Sequence, residues 1–503
     1  MKENDLSDAA MLNELLRAQR AAHRQVPYPA WEKRAEHLSA LRAMLLDHRD
    51  ALAHAISADF GQRAKAEVLL SELWLLKKEI DTALRYGRRW MKPMRRATGI
   101  WLLPARAHIL PQPLGVVGIV APWNYPLLLA IGPLVGALAA GNRAMIKMSE
   151  LTPNTAELIK RLIAQTFAHD QVAVVTGDAS FGAAFSALPF DHLLFTGSTA
   201  VGRQVMRSAA NHLTSVTLEL GGKSPAIVGL HAQFDAAVDS IVAGKTLNAG
   251  QTCIAPDYAL VPRGTEAAFI ARARRQMARL YPDFARNRDY TTIITDQHWA
   301  RLVRLAEDAA AAGAQLHPLI DVSTRNQGAA EASASAPRSG DVEGAPSRNG
   351  ASQASPASRR FVPSIVTDAP ADCALMREEI FGPLLPLVPY DTLDEAIRYV
   401  NARERPLALY LFENDPASVE RVLRETVSGG VAINETLLHV ACTGLPFGGV
   451  GASGMGAYHG YEGFMTFSQM KPVFTQARWN ARGWLLPPYG RRFKAIVSLM
   501  LKA

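Results

Sequence analysis

A cysteine in the run Asn248-Ala249-Gly250-Gln251-Thr252-Cys253-Ile254 offers the first candidate for chemistry. A lone cysteine is most often an inert buried hydrophobe, and that reading suits Cys373 and Cys442. At Cys253 a glycine and polar side chains precede the thiol, so the backbone can approach a ligand and the sulfur can be reached. A reachable thiol becomes a nucleophile once it is ionised beside a base. Glu219, 34 residues earlier (253 − 219), lies between Leu218 and Leu220 at the end of an apolar run and ahead of Gly221-Gly222-Lys223-Ser224-Pro225. Desolvation there raises a carboxyl pKa toward the value a general base needs near neutral pH. A buried ion pair, for example with Lys223, is the equal alternative. Asn124, in Pro122-Trp123-Asn124-Tyr125-Pro126, sits where an apolar strand ends, the usual place for ligand contact in open α/β sheets. Its amide could donate to a developing oxyanion or simply shape the turn. The run Phe195-Thr196-Gly197-Ser198-Thr199-Ala200-Val201-Gly202 follows a strand and opens a helix, a ready anion site. Its G-x-x-x-x-G spacing is neither a dinucleotide fingerprint nor a P-loop.

These residues need a scaffold. Residues 8–90 read as long amphipathic helices with few breakers. From Leu114 onward short apolar runs alternate with helical stretches. Strands are expected at Val116–Ala121, Arg143–Lys147, Val172–Val175, His192–Thr196 and Ser215–Leu220, with helices at Thr155–Ala168 and Thr199–His212 between them. A second series follows Cys253, with Tyr258–Val261, Glu266–Leu280, Asp394–Asn401 and Ala417–Glu425. That alternation is the signal of a parallel sheet with helices on both faces. Residues 321–360 interrupt it with Ala, Ser, Gly, Pro and Arg, cannot bury a core, and read as a flexible surface insertion.

The chain has 503 residues, of which 49% are hydrophobic and 20% charged, so the composition is globular and allows two to four domains. A net charge of +8 over that length is too dilute to argue for nucleic acid. Three scattered cysteines exclude a disulfide framework and a CxxC zinc site, so no metal and a reducing, cytoplasmic setting are expected. Leu114 to Gly141 holds no charged residue, yet Pro122, Pro126 and Pro133 argue against a membrane span and for a strand, a turn and a buried helix over Leu127–Ala140. No signal peptide is read at the amino terminus. The tail from Trp484 combines apolar residues with Arg491, Arg492, Lys494 and Lys502. It is either a helix docked on its own protein, the favoured reading, or a segment touching anionic lipid.

Taken together, the fragments closely resemble the NAD(P)-dependent aldehyde dehydrogenase superfamily. The matching pieces run in the family's order: Pro122-Trp123-Asn124, Lys147-Met148-Ser149-Glu150, Phe195-Thr196-Gly197-Ser198, Glu219 to Pro225, Gly250-Gln251-Thr252-Cys253, Glu379-Ile380-Phe381-Gly382-Pro383 and Pro446-Phe447-Gly448-Gly449. The wording Pro383-Leu384-Leu385-Pro386 and the basic tail are most similar to the class 3 branch. Gln112 to Gly118 and Pro189-Phe190-Asp191-His192 resemble its coniferyl aldehyde subgroup.

The resemblance implies two open, doubly wound α/β domains with parallel sheets and a small bridging, oligomerisation sheet. Residues 1–94 and 114–220 would bind NAD. Residues 221–447 would be catalytic, 95–113 and 448–480 would bridge, and 481–503 would form the tail. It also implies that Cys253 attacks the aldehyde, that Asn124 holds the oxyanion, and that Glu219 activates water against the thioester. Lys147 and Glu150 would take the adenosine ribose, and Ser198, beside Trp123 and Gly197, the pyrophosphate. Glu379 would take the nicotinamide ribose, with Phe381 beside it. Glu150 would repel a 2′-phosphate, favouring NAD with NADP still usable. The expected substrate is an aromatic or medium-chain apolar aldehyde, with Tyr125 and Phe447 as tunnel candidates and the loop Glu435–Thr443, including His439, as a source of selectivity. A homodimer is implied. An acylating relative that passes the thioester to coenzyme A is disfavoured by Glu219. A non-catalytic protein is disfavoured by the presence of all three catalytic residues.

Overall fold

Apolar runs of four or five residues are too short for buried helices and too continuous for half-exposed strands, so they pair edge to edge with both faces covered. In the computed structural model, which describes residues 3–320, 359–480 and 482–502, they build two sheets. The first has the order Gly454–Met455, Ser215–Glu219, His192–Thr196, Val116–Val120, Arg143–Lys147, Val172–Val175. Its last five strands are parallel, and Gly454–Met455 closes one edge antiparallel to Ser215–Glu219.

The second sheet runs Gln315–Pro318, Ser364–Thr367, Leu384–Tyr390, Tyr258–Pro262, Pro225–Val228, Ala408–Phe412, Gly430–Ile433. All neighbours are parallel except the first pair. A third, antiparallel sheet joins Met94–Arg96, Arg106–Pro113 and Ser468–Thr475. The expected α/β architecture with two wound sheets and a small third one is therefore present. Gly454–Met455, grouped from sequence with the bridging segment, pairs instead with the strand that ends in Glu219.

The charge-free stretch resolves into the strand Val116–Val120, a turn, and the helix Leu128–Ala140, whose residues from Leu129 onward are all buried. Apolar side chains all round this helix are accounted for by protein on every side. Among the described residues no helix is long and apolar enough to cross a membrane. The flexible insertion expected at 321–360 lies outside the described residues up to 358. Its last two residues are pinned: Arg359 donates to the carbonyl of Phe60 at 3.2 Å, and Arg360 to those of Phe284 and Asn287 at 2.6 and 2.7 Å. The insertion falls between two antiparallel neighbours, Gln315–Pro318 and Ser364–Thr367, at the edge of the second sheet, where added length disturbs no core strand.

The tail corrects an expectation. Its helix Arg491–Met500 has no buried residue, and Leu499 and Leu501 are exposed, so it is not docked on the body of its own chain.

Candidate active site

The helix Phe234–Thr246 delivers the chain into a tight turn in which Asn248, Ala249 and Gly250 all take left-handed φ, of 50°, 52° and 75°. Two non-glycine residues in that region cost of order 1–3 kcal/mol each and persist only where the surroundings over-determine them. They do so here. The Asn248 side chain donates to the carbonyls of Asn124 and Gln251 at 3.0 and 3.1 Å, and its backbone N–H donates to Glu67 at 3.2 Å. Gln251 donates to the carbonyls of Asn248 and Thr292 at 3.0 and 3.1 Å and accepts from Ile294 N–H at 3.0 Å. A Cβ on Gly250 would stand 2.4 Å from the carbonyl oxygen of Gly382, so only glycine allows this approach. The result is a rigid pedestal for Cys253, two residues beyond.

Asn124 reaches the same pedestal from the first sheet. Its side-chain amide donates to Gln251 O at 3.2 Å, which uses one of its two N–H groups and leaves the other for a ligand. Its backbone carbonyl accepts from Arg63 and from Asn248, each at 3.0 Å.

Arg63 is fully buried, with Glu67 at 2.9 Å and Glu72 at 3.0 Å, and Glu72 in turn accepts from the N–H groups of Leu127 and Leu128 at 2.9 and 3.0 Å. Burial alone would favour a neutral guanidinium, and the facing Glu72 and Glu67 carboxylates reverse that. Glu72 sits in the π-helical turn Leu69–Trp74, an irregularity that turns it inward. Sequence reasoning missed this cluster. The i,i+4 spacing of Arg63 and Glu67 occurs on any solvated helix, and nothing local marks it as buried.

Glu219 ends the strand Ser215–Glu219, 2% exposed, with neither carboxylate oxygen hydrogen-bonded. Burial drives its pKa far above the ordinary carboxyl range. The ion pair with Lys223 does not form. Lys223 is bound to Asp257 and donates to the carbonyls of Leu375 and Glu378 at 2.8 and 2.9 Å. Burial pushes the Cys253 thiol up to about 12, with the charges of Glu379 and Glu219 adding to it and the amides of Cys253 and Ile254 opposing. Cys442 is exposed and Cys373 half-buried, so the buried-hydrophobe reading fails for the former.

An apolar pocket opens on Cys253, lined among others by Tyr125, Leu437, Val440, Phe447, Tyr458 and His459. The two tunnel candidates and two members of the selectivity loop thus meet at the thiol. Tyr125 is fixed by its hydroxyl on Thr252 Oγ1 at 2.8 Å and by Arg63 over its ring at 4.7 Å. Phe447 stacks on His459 and His439, at 5.2 and 6.3 Å between centroids.

The cofactor candidates line the carboxyl ends of the first sheet. Trp123 follows Val116–Val120, and Gly197 and Ser198 follow the neighbouring His192–Thr196. The strand order reverses between those two strands, which is where open α/β sheets bind dinucleotides. Gly197 N–H donates to the Glu219 carbonyl at 3.0 Å, and a Cβ there would lie 2.5 Å from Phe195 Cζ. Ser198 caps the helix Thr199–Ala210, accepting from Val201 N–H at 3.4 Å, so its own O–H and the first helical amides face outward for an anion. Lys147 is buried and pairs with the partly exposed Glu150 at 2.6 Å.

From the second sheet, Glu379 projects against Gly221, where a Cβ would stand 2.0 Å from Oε2. Its Oε1 is buried without a partner, an acceptor suited to a ribose hydroxyl, and burial holds its pKa at about 8. Phe381, at φ 48°, packs edge-on to Trp123 at 5.4 Å. These residues fit a nicotinamide dinucleotide.

A family model described as "Aldehyde dehydrogenase family" matches residues 2–330 and 324–473. The chain belongs to the aldehyde dehydrogenase family. This aldehyde dehydrogenase is 48% identical over 486 residues to a "Probable coniferyl aldehyde dehydrogenase" of Pseudomonas aeruginosa, covering 97% of this chain and 95% of that one. Its fold superposes on the substrate-bound AldH of Staphylococcus aureus with a TM-score of 0.86 at 36% identity, over 97% of this chain and 99% of that one. An aldehyde dehydrogenase of Mycobacterium tuberculosis complexed with NAD+ superposes with a TM-score of 0.78 at 27% identity, over 93% and 90% of the two chains. The enzyme is an NAD(P)-dependent oxidoreductase that acts on aldehydes.

Proposed function

We propose that this enzyme oxidises an aromatic aldehyde of the coniferyl or cinnamyl type to its carboxylic acid through a thioester on Cys253. The aromatic-walled pocket over the thiol carries the substrate reading: Tyr125, Phe447, Tyr458 and His459 line it, a wall suited to a planar conjugated aldehyde. The name of the Pseudomonas aeruginosa relative agrees with it.

The thiol proton passes to a carboxylate, and Glu219 and Glu379 are the two whose charges reach the sulfur. Cys253 attacks the carbonyl carbon, and the free N–H of Asn124, with the Cys253 amide, stabilises the oxyanion. When bound, NAD would supply the hydride acceptor for this oxidation, and the residues named below would hold it. Glu219 then takes a proton from water, which attacks the thioester and frees the acid. An unpaired buried base beside the thioester favours water over coenzyme A as the acceptor. Lys147 and Glu150 hold the adenosine ribose, and the Glu150 carboxylate disfavours a 2′-phosphate. Trp123 and Phe381 wall the cleft, Gly197 and Ser198 cradle the pyrophosphate, and Glu379 takes the nicotinamide ribose.

The test is NADH formation across cinnamyl-type, benzaldehyde-type and straight-chain aldehydes with NAD and with NADP. The expected result is the highest kcat/KM for the cinnamyl type with NAD and acid release without coenzyme A. A preference for straight chains, or a requirement for coenzyme A, would overturn the assignment.

Two further readings concern assembly and setting. Ile100, Trp101, Leu102 and Leu103, beside the third sheet, and Phe474 on it are exposed, which supports a homodimer through that sheet. The tail helix buries none of its apolar residues fully, leaves Leu499 exposed and carries Arg491, Arg492 and Lys494, which supports peripheral contact of a cytoplasmic enzyme with an anionic membrane surface. Light scattering is expected to give twice the chain mass. Vesicles rich in anionic lipid should sediment the full chain but not one lacking 484–503. A monomer would end the first reading, and no vesicle binding the second.

A further inference from the structure

Most side chains that line the Cys253 pocket are apolar, among them Leu75, Leu128, Leu247, Ile254 and Val440. The polar ones fall into two groups. Ser71 Oγ donates to the carbonyl of Glu67 at 2.7 Å, and the Tyr125 hydroxyl and Thr252 Oγ1 hold each other at 2.8 Å. These groups are satisfied within the protein. Tyr458 and His459 also line the pocket, yet neither the phenol nor the imidazole makes a hydrogen bond to a described residue. Nor are they sealed away. The buried side-chain atoms without a partner include both oxygens of Glu219 and both ring nitrogens of His439, but none of Tyr458 or His459.

Backbone geometry sets this pair side by side. Consecutive side chains of an extended segment point to opposite faces. Tyr458 starts in that way, joined to Phe447 by two backbone hydrogen bonds of 2.8 Å. His459 then takes φ 89°, a left-handed value that a residue with a Cβ adopts only where its surroundings hold it. The hold comes from the next turn. The His459 carbonyl accepts from Gly463 N–H at 3.0 Å, and a Cβ on Gly460 would stand 2.2 Å from the carbonyl oxygen of Thr443. The alternation is broken, and both rings face one cavity with centroids 4.6 Å apart. Phe447 stacks on the imidazole at 5.2 Å and meets the phenol edge-on at 6.0 Å, which fixes the pair from a third side.

The chemistry of such a pair is specific. A phenol has one O–H to donate, and a neutral imidazole has one nitrogen to accept. Burial, with His439 adding to it, lowers the His459 pKa to about 4, so the ring is neutral near neutral pH. No lysine or arginine lines the pocket, so a charged substituent would be buried without compensation. A hydroxyl group accepts from one member and donates to the other without bringing charge.

We infer that Tyr458 and His459 recognise a hydroxyl group on the ring of the aromatic aldehyde, Tyr458 donating to it and His459 accepting from it. The assignment rests on the aromatic-aldehyde reading of this pocket and adds that the ring is hydroxylated. A bare ring covers both polar groups without pairing them, whereas a hydroxylated ring pairs both.

The test measures kcat/KM for cinnamaldehyde and 4-hydroxycinnamaldehyde with the full chain, unaltered and as Tyr458→Phe and His459→Phe. The ratio of hydroxylated to bare aldehyde is compared between proteins, so the different reactivity of the two carbonyls cancels. Each substitution is expected to lower that ratio by about tenfold. If His459→Phe fails to fold, Tyr458→Phe alone decides. A ratio within twofold of the unaltered enzyme in either folded variant would overturn the inference. That includes a variant in which both aldehydes are slowed alike, the mark of a merely structural role. A preference of the unaltered enzyme for straight-chain aldehydes over both would overturn the underlying substrate reading, and the inference would fall with it.

Discussion

Replacing Cys253 with alanine is expected to remove aldehyde-dependent NADH formation, by about 10⁴-fold or more. The nucleophile divides one hard step into two, and no other thiol stands where it could substitute. Cys442 is exposed on the loop after His439, and Cys373 sits half-buried just before the short helix Ala374–Arg377; neither lines the pocket over Cys253. The pedestal is built from the backbone of Asn248 to Gln251 and not from the sulfur, so the variant should fold, which its unfolding transition in urea would check. Cys442→Ser is expected to keep full activity. In the enzyme alone the thiol is held protonated to about 12, so alkylation of Cys253 at neutral pH should be slow and should quicken as pH rises. Turnover above about one part in a hundred in Cys253→Ala would mean a different nucleophile.

The second large effect is expected at the base. Glu219→Gln keeps the volume and removes the proton acceptor. The first turnover should proceed, since the hydride leaves before water is needed, and steady-state turnover should fall by about 10²–10⁴-fold as the thioester accumulates. The pH dependence follows from sign. Burial raises the Glu219 pKa above the ordinary carboxyl range, so its basic form is gained at higher pH than that of a solvated glutamate. Turnover of the unaltered enzyme should climb with pH above that ordinary range, and the variant should lose the climb. A variant impaired equally in its first turnover would make Glu219 the acceptor of the thiol proton instead.

Much of this site is legible in the sequence because the chain writes it in short runs. Cys253 follows a glycine and polar residues, Glu219 closes an apolar strand, and Asn124 and Gly197–Ser198 lie at strand ends, so each is tied to an element whose period can be read. The core strands fall where apolar runs of four or five residues demand them. What is not legible is what comes from three dimensions. Arg63, Glu67 and Glu72 read as ordinary helix-surface charges, and only the packing of the amino-terminal helices on the turn after Asn124 reveals an ion cluster. Lys223 looks like the partner of Glu219 because it is four residues away, whereas strand geometry sends it to Asp257. Gly454–Met455 carries no strand signal at two residues, and its place beside Glu219 is set by the sheet edge. An amphipathic pattern in the tail is compatible with docking or exposure, and only the fold distinguishes them.

The most direct test of the central claim is the intact mass of Glu219→Gln after mixing with NAD and a cinnamyl-type aldehyde, followed by peptide mapping. The expected result is one acyl group per chain, carried on Cys253 and formed together with one equivalent of NADH. Formation of NADH in repeated turnovers with no adduct on Cys253, or an acyl group on another residue, would contradict a thioester at Cys253 released by Glu219.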